Sequence, residues 1–264
     1  MGKYFVMKLI DTHAHLYAKA FNHDRAEMID RAVGRGVEQF FLPNIDSSSI
    51  EIMLALEAAY PQRCFAMMGL HPCSVKENFE KELALVRQWL DKRPFCAVGE
   101  IGIDLYWDKS TLSIQEEAFR RQIRWALEFG LPIVIHSRES TEEILAILEE
   151  LSEERLRGIF HCFTGDLAQA ERAIALGFYL GIGGVLTFKN AGLDKTVADI
   201  DLEHLVLETD APYLAPVPYR GKRNESSYVY QVAEKLAEVK GVSLEEIARI
   251  TTANAGKIFS GKTA

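Results

Sequence analysis

The feature that most constrains this chain is an alternation repeated eight times: a short apolar run, then a longer segment with apolar residues at helical spacing. The short runs read as strands over about 8–13, 37–43, 64–69, 95–98, 132–135, 158–160, 178–182 and 205–207. Between them, Met28, Ile29, Ala32 and Val33 mark a helix closed by Gly34 and Gly36. The spacing predicts further helices over 48–60, 80–90, 113–129, 141–151 and 167–176. Ser47 or Ser48 is placed to cap the second helix, and Pro61, Gly130 and Gly177 punctuate helix ends. After the last strand, a proline-rich loop over 211–226 leads to helices at 228–239 and 243–252. Strand and helix alternating in this way predict parallel βαβ units, and eight of them predict an α/β fold closed as a (β/α)8 TIM barrel. No low-complexity linker or shift of composition marks a second domain, so one domain is expected over residues 1–264.

Composition narrows the function classes. A net charge of −8 argues against broad electrostatic adhesion to nucleic acid or an anionic membrane, though not against one polyanion held locally by cations. Cys64, Cys73, Cys96 and Cys162 show no zinc-finger spacing. They read as free thiols in a reducing cytoplasm. No run could span a bilayer, and 1–6 lacks the apolar centre of a signal peptide. No obligate protein partner is evident.

The chemistry lies in where the polar residues fall. His13 and His15, His71, Glu100, His136, His161 and Asp210 each follow a strand. In a barrel those strand ends ring one mouth, where active sites are built. Five of the chain's seven histidines are placed there; His23 and His204 fall in loop or helix-edge contexts and read as surface residues. On a strand, Asp11, His13 and His15 would share one face. Four imidazoles and two carboxylates around a mouth suit one or two divalent cations such as Zn²⁺, Mn²⁺ or Mg²⁺.

Taken as a set, Asp11-Thr-His-Ala-His15, Gly69-Leu-His-Pro72, Gly99-Glu-Ile-Gly-Ile-Asp104, His136-Ser-Arg138, His161-Cys-Phe-Thr-Gly165, Glu208-Thr-Asp-Ala-Pro-Tyr-Leu214 and Gly221-Lys-Arg-Asn-Glu225 resemble the motifs of the TatD family of metal-dependent hydrolases and deoxyribonucleases. The likeness runs from about residue 8 to residue 256. One departure is Ser226, where the family often has proline after the Arg-Asn-Glu triplet.

The resemblance implies a somewhat distorted TIM barrel of the amidohydrolase superfamily with two metal ions. His13, His15 and Asp210 would bind the first, His136 and His161 the second, and Glu100 would bridge them. His71 would approach the scissile phosphate. The implied activity is phosphodiester hydrolysis of DNA, of 3′→5′ exonuclease type, on single strands or 3′ ends. Asp210 is suited to orient a water and take its proton. His71, Arg138 and Arg223 are the candidate substrate-binding residues. Glu208 shares a strand face with Asp210 and is placed to support Arg223 or a ligand histidine. Arg138, Lys189, Arg220, Lys222 and Arg223 could form a local basic patch, and Phe163, Tyr213, Trp107 and Tyr106 could stack on bases or pack the mouth loops. Gly183-Gly184 would admit a ligand or a sharp turn. Asp11 is expected to orient a histidine from beneath. Metal ligands alone do not choose the electrophile, so a hydrolase of small-molecule amides, esters or lactones is the alternative. Glu100 at the end of strand four speaks against its phosphotriesterase-like form, which often bridges its metals there with a modified lysine.

Overall fold

The computed structural model describes residues 7–151 and 153–259; the N-terminal segment read above for a signal peptide lies outside them. The order is β1 (Leu9–Asp11), α1 (Arg25–Gly34), β2 (Val37–Leu42), α2 (Ile50–Ala59), β3 (Cys64–Ala66), α3 (Phe79–Lys92), β4 (Val98–Asp104), α4 (Leu112–Phe129) and β5 (Ile133–Arg138). It continues with α5 (Thr141–Leu151), β6 (Gly158–Phe160), α6 (Leu167–Ala175), β7 (Phe178–Ile182), α7 (Leu193–Ala198), β8 (Leu205–Leu207), α8 (Val229–Lys240) and α9 (Leu244–Ile258).

All strand pairings are parallel, in a ladder β1-β2-β3 and a second ladder β4-β5-β6-β7-β8. Backbone hydrogen bonds close both seams. Met68 N–H reaches Ala97 O and Gly99 N–H reaches Met68 O, each at 3.1 Å. On the other side Thr12 N–H meets Leu207 O at 3.0 Å, Asp210 N–H meets His13 O at 2.9 Å and His15 N–H meets Ala211 O at 2.7 Å. The result is the expected TIM barrel, distorted at two seams.

Alternating strand residues build two cores. Leu9, Phe40, Leu42, Ile133, Ile135, Phe160, Leu205 and Leu207 pack with the helices. Ile10, Phe41, Met67, Val134, Ile159 and Val206 form a second cluster with Phe259, and strands from both ladders can meet in this way only inside the barrel. Phe259 stacks on Phe41 at 3.8 Å between centroids. Just before it, Thr252 bonds Lys8 O and Asn254 bonds Leu202 O and Leu205 O, which places the end of α9 under the N-terminal ends of β1 and β8.

Several boundaries differ from the sequence expectation. β4 runs from Val98 through Asp104 rather than over 95–98, because Gly99-Glu-Ile-Gly-Ile-Asp pairs with β5 despite its polar residues. Gly102 permits this at φ +143, where a Cβ would overlap the His136 carbonyl. α9 extends to Ile258 because Thr251 and Asn254, which look polar in sequence, are buried and hydrogen-bonded. α7, whose Leu-Asp-Lys-Thr-Val-Ala gives too short a pattern to read, was not anticipated. Ser49, not Ser47 or Ser48, precedes α2, and its Oγ accepts from Ile45 N–H and Asp46 N–H. The Gly183-Gly184 turn admits the chain's own loop rather than a ligand: a Cβ at Gly184 would overlap the Leu214 carbonyl.

Candidate metal centre

Glu100 stands at a register irregularity of β4, where Gly99 pairs with Val134 and Ile101 with Ile135. Asn44 holds it there: Glu100 N–H donates to Asn44 O at 3.3 Å, and Asn44 N–H to Gly99 O at 3.1 Å. The carboxylate, 1% exposed, faces five imidazoles. Oε2 lies 3.1 Å from His13 Nε2 and 3.6 Å from His15 Nε2. Oε1 lies 2.8 Å from His136 Nδ1, 3.5 Å from His71 Nε2 and 3.8 Å from His161 Nε2. Asp210 Oδ1 approaches His15 Nε2 at 3.5 Å, and His13 and His161 Nε2 at 3.9 Å. The two oxygens of Glu100 thus face two different groups of histidines, the arrangement a bridging carboxylate requires.

Candidate ligand atoms lie within 4.8 Å of one another in the groups His13–His15–Asp210, His13–Glu100–His161 and His71–Glu100–His136. Both nitrogens of His13 and Oε2 of Glu100 are buried without a hydrogen-bond partner. Stranding such groups costs about 1–3 kcal/mol each unless something satisfies them. Lone pairs converging on common points are satisfied by cations, so the residues fit the metal ions the sequence implies.

The outer contacts fix which nitrogen carries a proton. Tyr17 Oη donates its single hydrogen to Pro43 O at 2.6 Å, so at 2.9 Å it accepts from His15 Nδ1–H. The Nε2 lone pair of His15 then faces the centre. His161 places Nδ1 2.9 Å from Glu208 Oε1, in a bent contact, and likewise turns Nε2 inward. His136 Nε2 sits 2.8 Å from Asp104 Oδ2, leaving Nδ1 toward Glu100. His71 is reversed: its Nδ1 accepts from Cys73 N–H at 3.0 Å, so the neutral ring presents Nε2–H to the centre. Three histidines thus turn a lone pair to the centre, His13 has no outer partner to fix its proton, and His71 offers a hydrogen-bond donor.

Charge follows from this packing. Burial alone would raise the Glu100 carboxyl, but the imidazoles of His13, His71 and His161 hold it well below the usual range. Asp210 is likewise kept low by His15 and His161 against burial. Burial and the neighbouring His161 push His13 down. His161, against burial, is raised to about 10 by Glu208 and Glu100.

Asp210 itself occupies the left-handed region at φ +57, a conformation that costs energy in a non-glycine residue and persists because its surroundings impose it. Asn224 supplies part of that constraint, bonding Thr209 O at 2.7 Å and Tyr213 O at 2.6 Å.

Other expected residues fall elsewhere. Asp11 does not share the face of the two histidines, because β1 ends at Asp11 and strict alternation ends with it. Its carboxylate accepts from Thr209 N–H, Thr209 Oγ1–H and Ser226 Oγ–H, tying β1 to β8 and the late loop instead of orienting an imidazole. Ser226, the departure from the family pattern, is thus a buried donor to Asp11. Arg223 is not brought to the centre: its guanidinium makes a two-point pair with Asp24 at 2.6 and 2.7 Å and lies over Phe21. Glu208 accordingly supports His161, not Arg223. Phe163 is buried, and Arg220 lies over Phe188.

Sequence reasoning missed Asp104, Tyr17, Gln115 and Gln122. Asp104 carries a usable signal, since it shares alternation with Glu100 on β4. The glutamines carry none. From one face of α4, Gln122 brackets Leu70, bonding its N–H at 2.7 Å and its carbonyl at 3.3 Å beside His71. Gln115 brackets Asp104 the same way at 2.8 and 3.1 Å.

Residues 10–260 match the family described as TatD related DNase. The uncharacterized metal-dependent hydrolase YabD of Bacillus subtilis is 43% identical over 252 residues, covering 95% of this chain and 98% of that protein. The 3′-5′ ssDNA/RNA exonuclease TatD of Cronobacter sakazakii is 31% identical over 258 residues, covering 95% and 97%. The crystal structure of YJJV, a TatD homolog from Escherichia coli, superposes with a TM-score of 0.91 at 31% identity, covering 96% of this chain and 98% of that one. With a family match over nearly its whole length and relatives above 30% identity along it, this chain belongs to the TatD family of metal-dependent hydrolases.

Proposed function

We propose that this protein hydrolyses phosphodiester bonds of DNA, removing nucleotides from 3′ ends, with two divalent cations (Zn²⁺, Mn²⁺ or Mg²⁺) per chain. The observation that carries the reading is the reversed tautomer of His71: beside the ligand lone pairs, one imidazole is held to present N–H, which an anionic phosphoryl oxygen would accept. The name of the Cronobacter relative supports the same substrate class.

His13, His15 and Asp210, which converge, would hold one cation; His136 and His161, both facing Glu100 Oε1, would hold the other, with Glu100 shared. Such ions supply Lewis acidity that makes water a nucleophile near neutral pH and offsets phosphoryl charge. Asp210, kept ionised by its histidines, orients the attacking water and accepts its proton. His71 Nε2–H donates to a phosphoryl oxygen as negative charge grows on it. Glu100 balances the charge of the imidazoles and, facing both groups of histidines, would be shared by the two ions.

The test offers purified protein with Mg²⁺, Mn²⁺ or Zn²⁺ to end-labelled single- and double-stranded DNA, to RNA, and to chromogenic esters and lactones. Chelator-sensitive release of mononucleotides from DNA 3′ ends is expected. Glu100→Gln and Asp210→Ala should each lower that release by several orders of magnitude. Ester or lactone turnover without nuclease activity, or full activity in either variant at verified metal content, would overturn the assignment.

A further inference from the structure

We propose that Tyr106, Trp107 and Arg138 form a nucleotide clamp at the rim of the mouth, taking the unstacked base and adjoining phosphate of a single-stranded end. The inference rests on the phosphodiesterase reading for the direction from which substrate arrives; the clamp itself rests on its own geometry. Trp107 is 71% exposed and Tyr106 49%, on the loop that leaves β4. Packing of the loop onto the barrel would have buried the Trp107 ring, and it does not. The two rings meet edge to face, 4.9 Å between centroids. The Arg138 guanidinium lies 3.7 Å from the Tyr106 centroid and 5.5 Å from that of Trp107.

Among the described residues Arg138 has no carboxylate partner, unlike Arg223, Arg31 or Arg172. On a chain of net charge −8, a guanidinium with no carboxylate partner among the described residues, held over the Tyr106 ring, keeps its donors for an incoming anion. A planar π surface beside a free cation matches the two parts of a nucleotide, base and phosphate. Bases inside a duplex present no free face to such a platform, so a single-stranded end is the fitting occupant.

The clamp is joined to the centre through one carboxylate. Asp104 Oδ1 accepts from Tyr106 N–H at 3.0 Å and Trp107 N–H at 3.3 Å, while Oδ2 meets His136 Nε2 at 2.8 Å. A base seated on Trp107 would therefore place its phosphate near Arg138 and toward His136.

Equilibrium binding of a labelled hexathymidylate with hydrolysis-resistant phosphorothioate linkages tests this, against the same strand lacking its two 3′-terminal bases and against a blunt duplex. The metal-loaded protein should bind the base-containing single strand more tightly than the abasic strand or the duplex. Trp107→Ala should weaken binding of the intact strand about 5- to 100-fold and erase the preference over the abasic strand. Trp107→Phe should restore much of it, and Trp89→Phe, on α3, should change nothing. Arg138→Ala should make the dependence of log affinity on log salt shallower by about 0.7. Equal binding of intact and abasic strands by the wild type, or a base preference that survives Trp107→Ala, overturns the clamp. Base preference in binding, with the unmodified phosphodiester strand never cut under any metal, leaves the clamp standing and sinks the hydrolytic reading; cutting of the unmodified strand without base preference does the reverse.

Discussion

Replacing Asp104 by Asn tests whether a single outer contact fixes one half of the metal centre. Asp104 is 2% exposed; its Oδ1 holds the Tyr106 and Trp107 amides and its Oδ2 holds His136 Nε2. Gln115 brackets the same residue through its backbone, so the loop should keep its path in the variant. Asparagine can still accept the two amides through its oxygen, but its NH₂ then faces His136. His136 must answer with a lone pair at Nε2, which moves the ring proton to Nδ1, the nitrogen that faces Glu100. If His136 holds a metal ion as proposed, its lone pair would thereby be lost to the wrong tautomer, not to a change of shape. Loss of such a supporting partner typically weakens metal affinity 10- to 100-fold, roughly 1.4–2.7 kcal/mol. Calorimetric titration of Mn²⁺ into chelator-stripped protein should show one of two binding events weakened by that factor and the other unchanged. Far-ultraviolet circular dichroism should match the wild type. Both events within twofold of wild type would refute the tautomer argument, and an equal loss at both would show that the variant disturbs the whole mouth.

Protons and metal ions should compete at His161. In the metal-free protein its pKa is raised to about 10, so near neutral pH metal binding must expel a proton. Apparent affinity is expected to rise as pH increases from 7 toward 9, with proton release measured by titration in buffers of differing ionisation enthalpy; pH-independent affinity would contradict it. Because this folded-state pKa lies above the ordinary value of 6.5, the stability it contributes is complete below about 6.5 and is lost as pH climbs through about 10. Thermal melts of the stripped protein should therefore fall over that window. At the other end of the barrel, Phe259→Ala removes the ring that stacks on Phe41, and a core truncation of this kind costs about 3–5 kcal/mol in denaturant unfolding. Metal affinity measured in the folded variant should stay at the wild-type value, since Phe259 lies at the barrel end away from the mouth.

The alternation of apolar runs and amphipathic segments determined the barrel, because a parallel strand and its crossover helix each leave a periodic trace along the chain. His13, His15, His71, Glu100, His136, His161 and Asp210 were legible for a related reason: each falls just after an apolar run, and the barrel gathers the C-terminal parts of its strands at one mouth. Tertiary structure alone decided how those side chains are used. That Asp11 binds Thr209 and Ser226, that Arg223 is committed to Asp24, and that His71 shows a donor where its neighbours show lone pairs all depend on partners distant in the sequence or on local backbone geometry. The two glutamines of α4 make the same point, since a buried amide that brackets a backbone segment looks in sequence like any polar helix residue. Periodicity records which face of an element is buried; it does not record which atom lies opposite, and the protonation of a histidine depends on that atom.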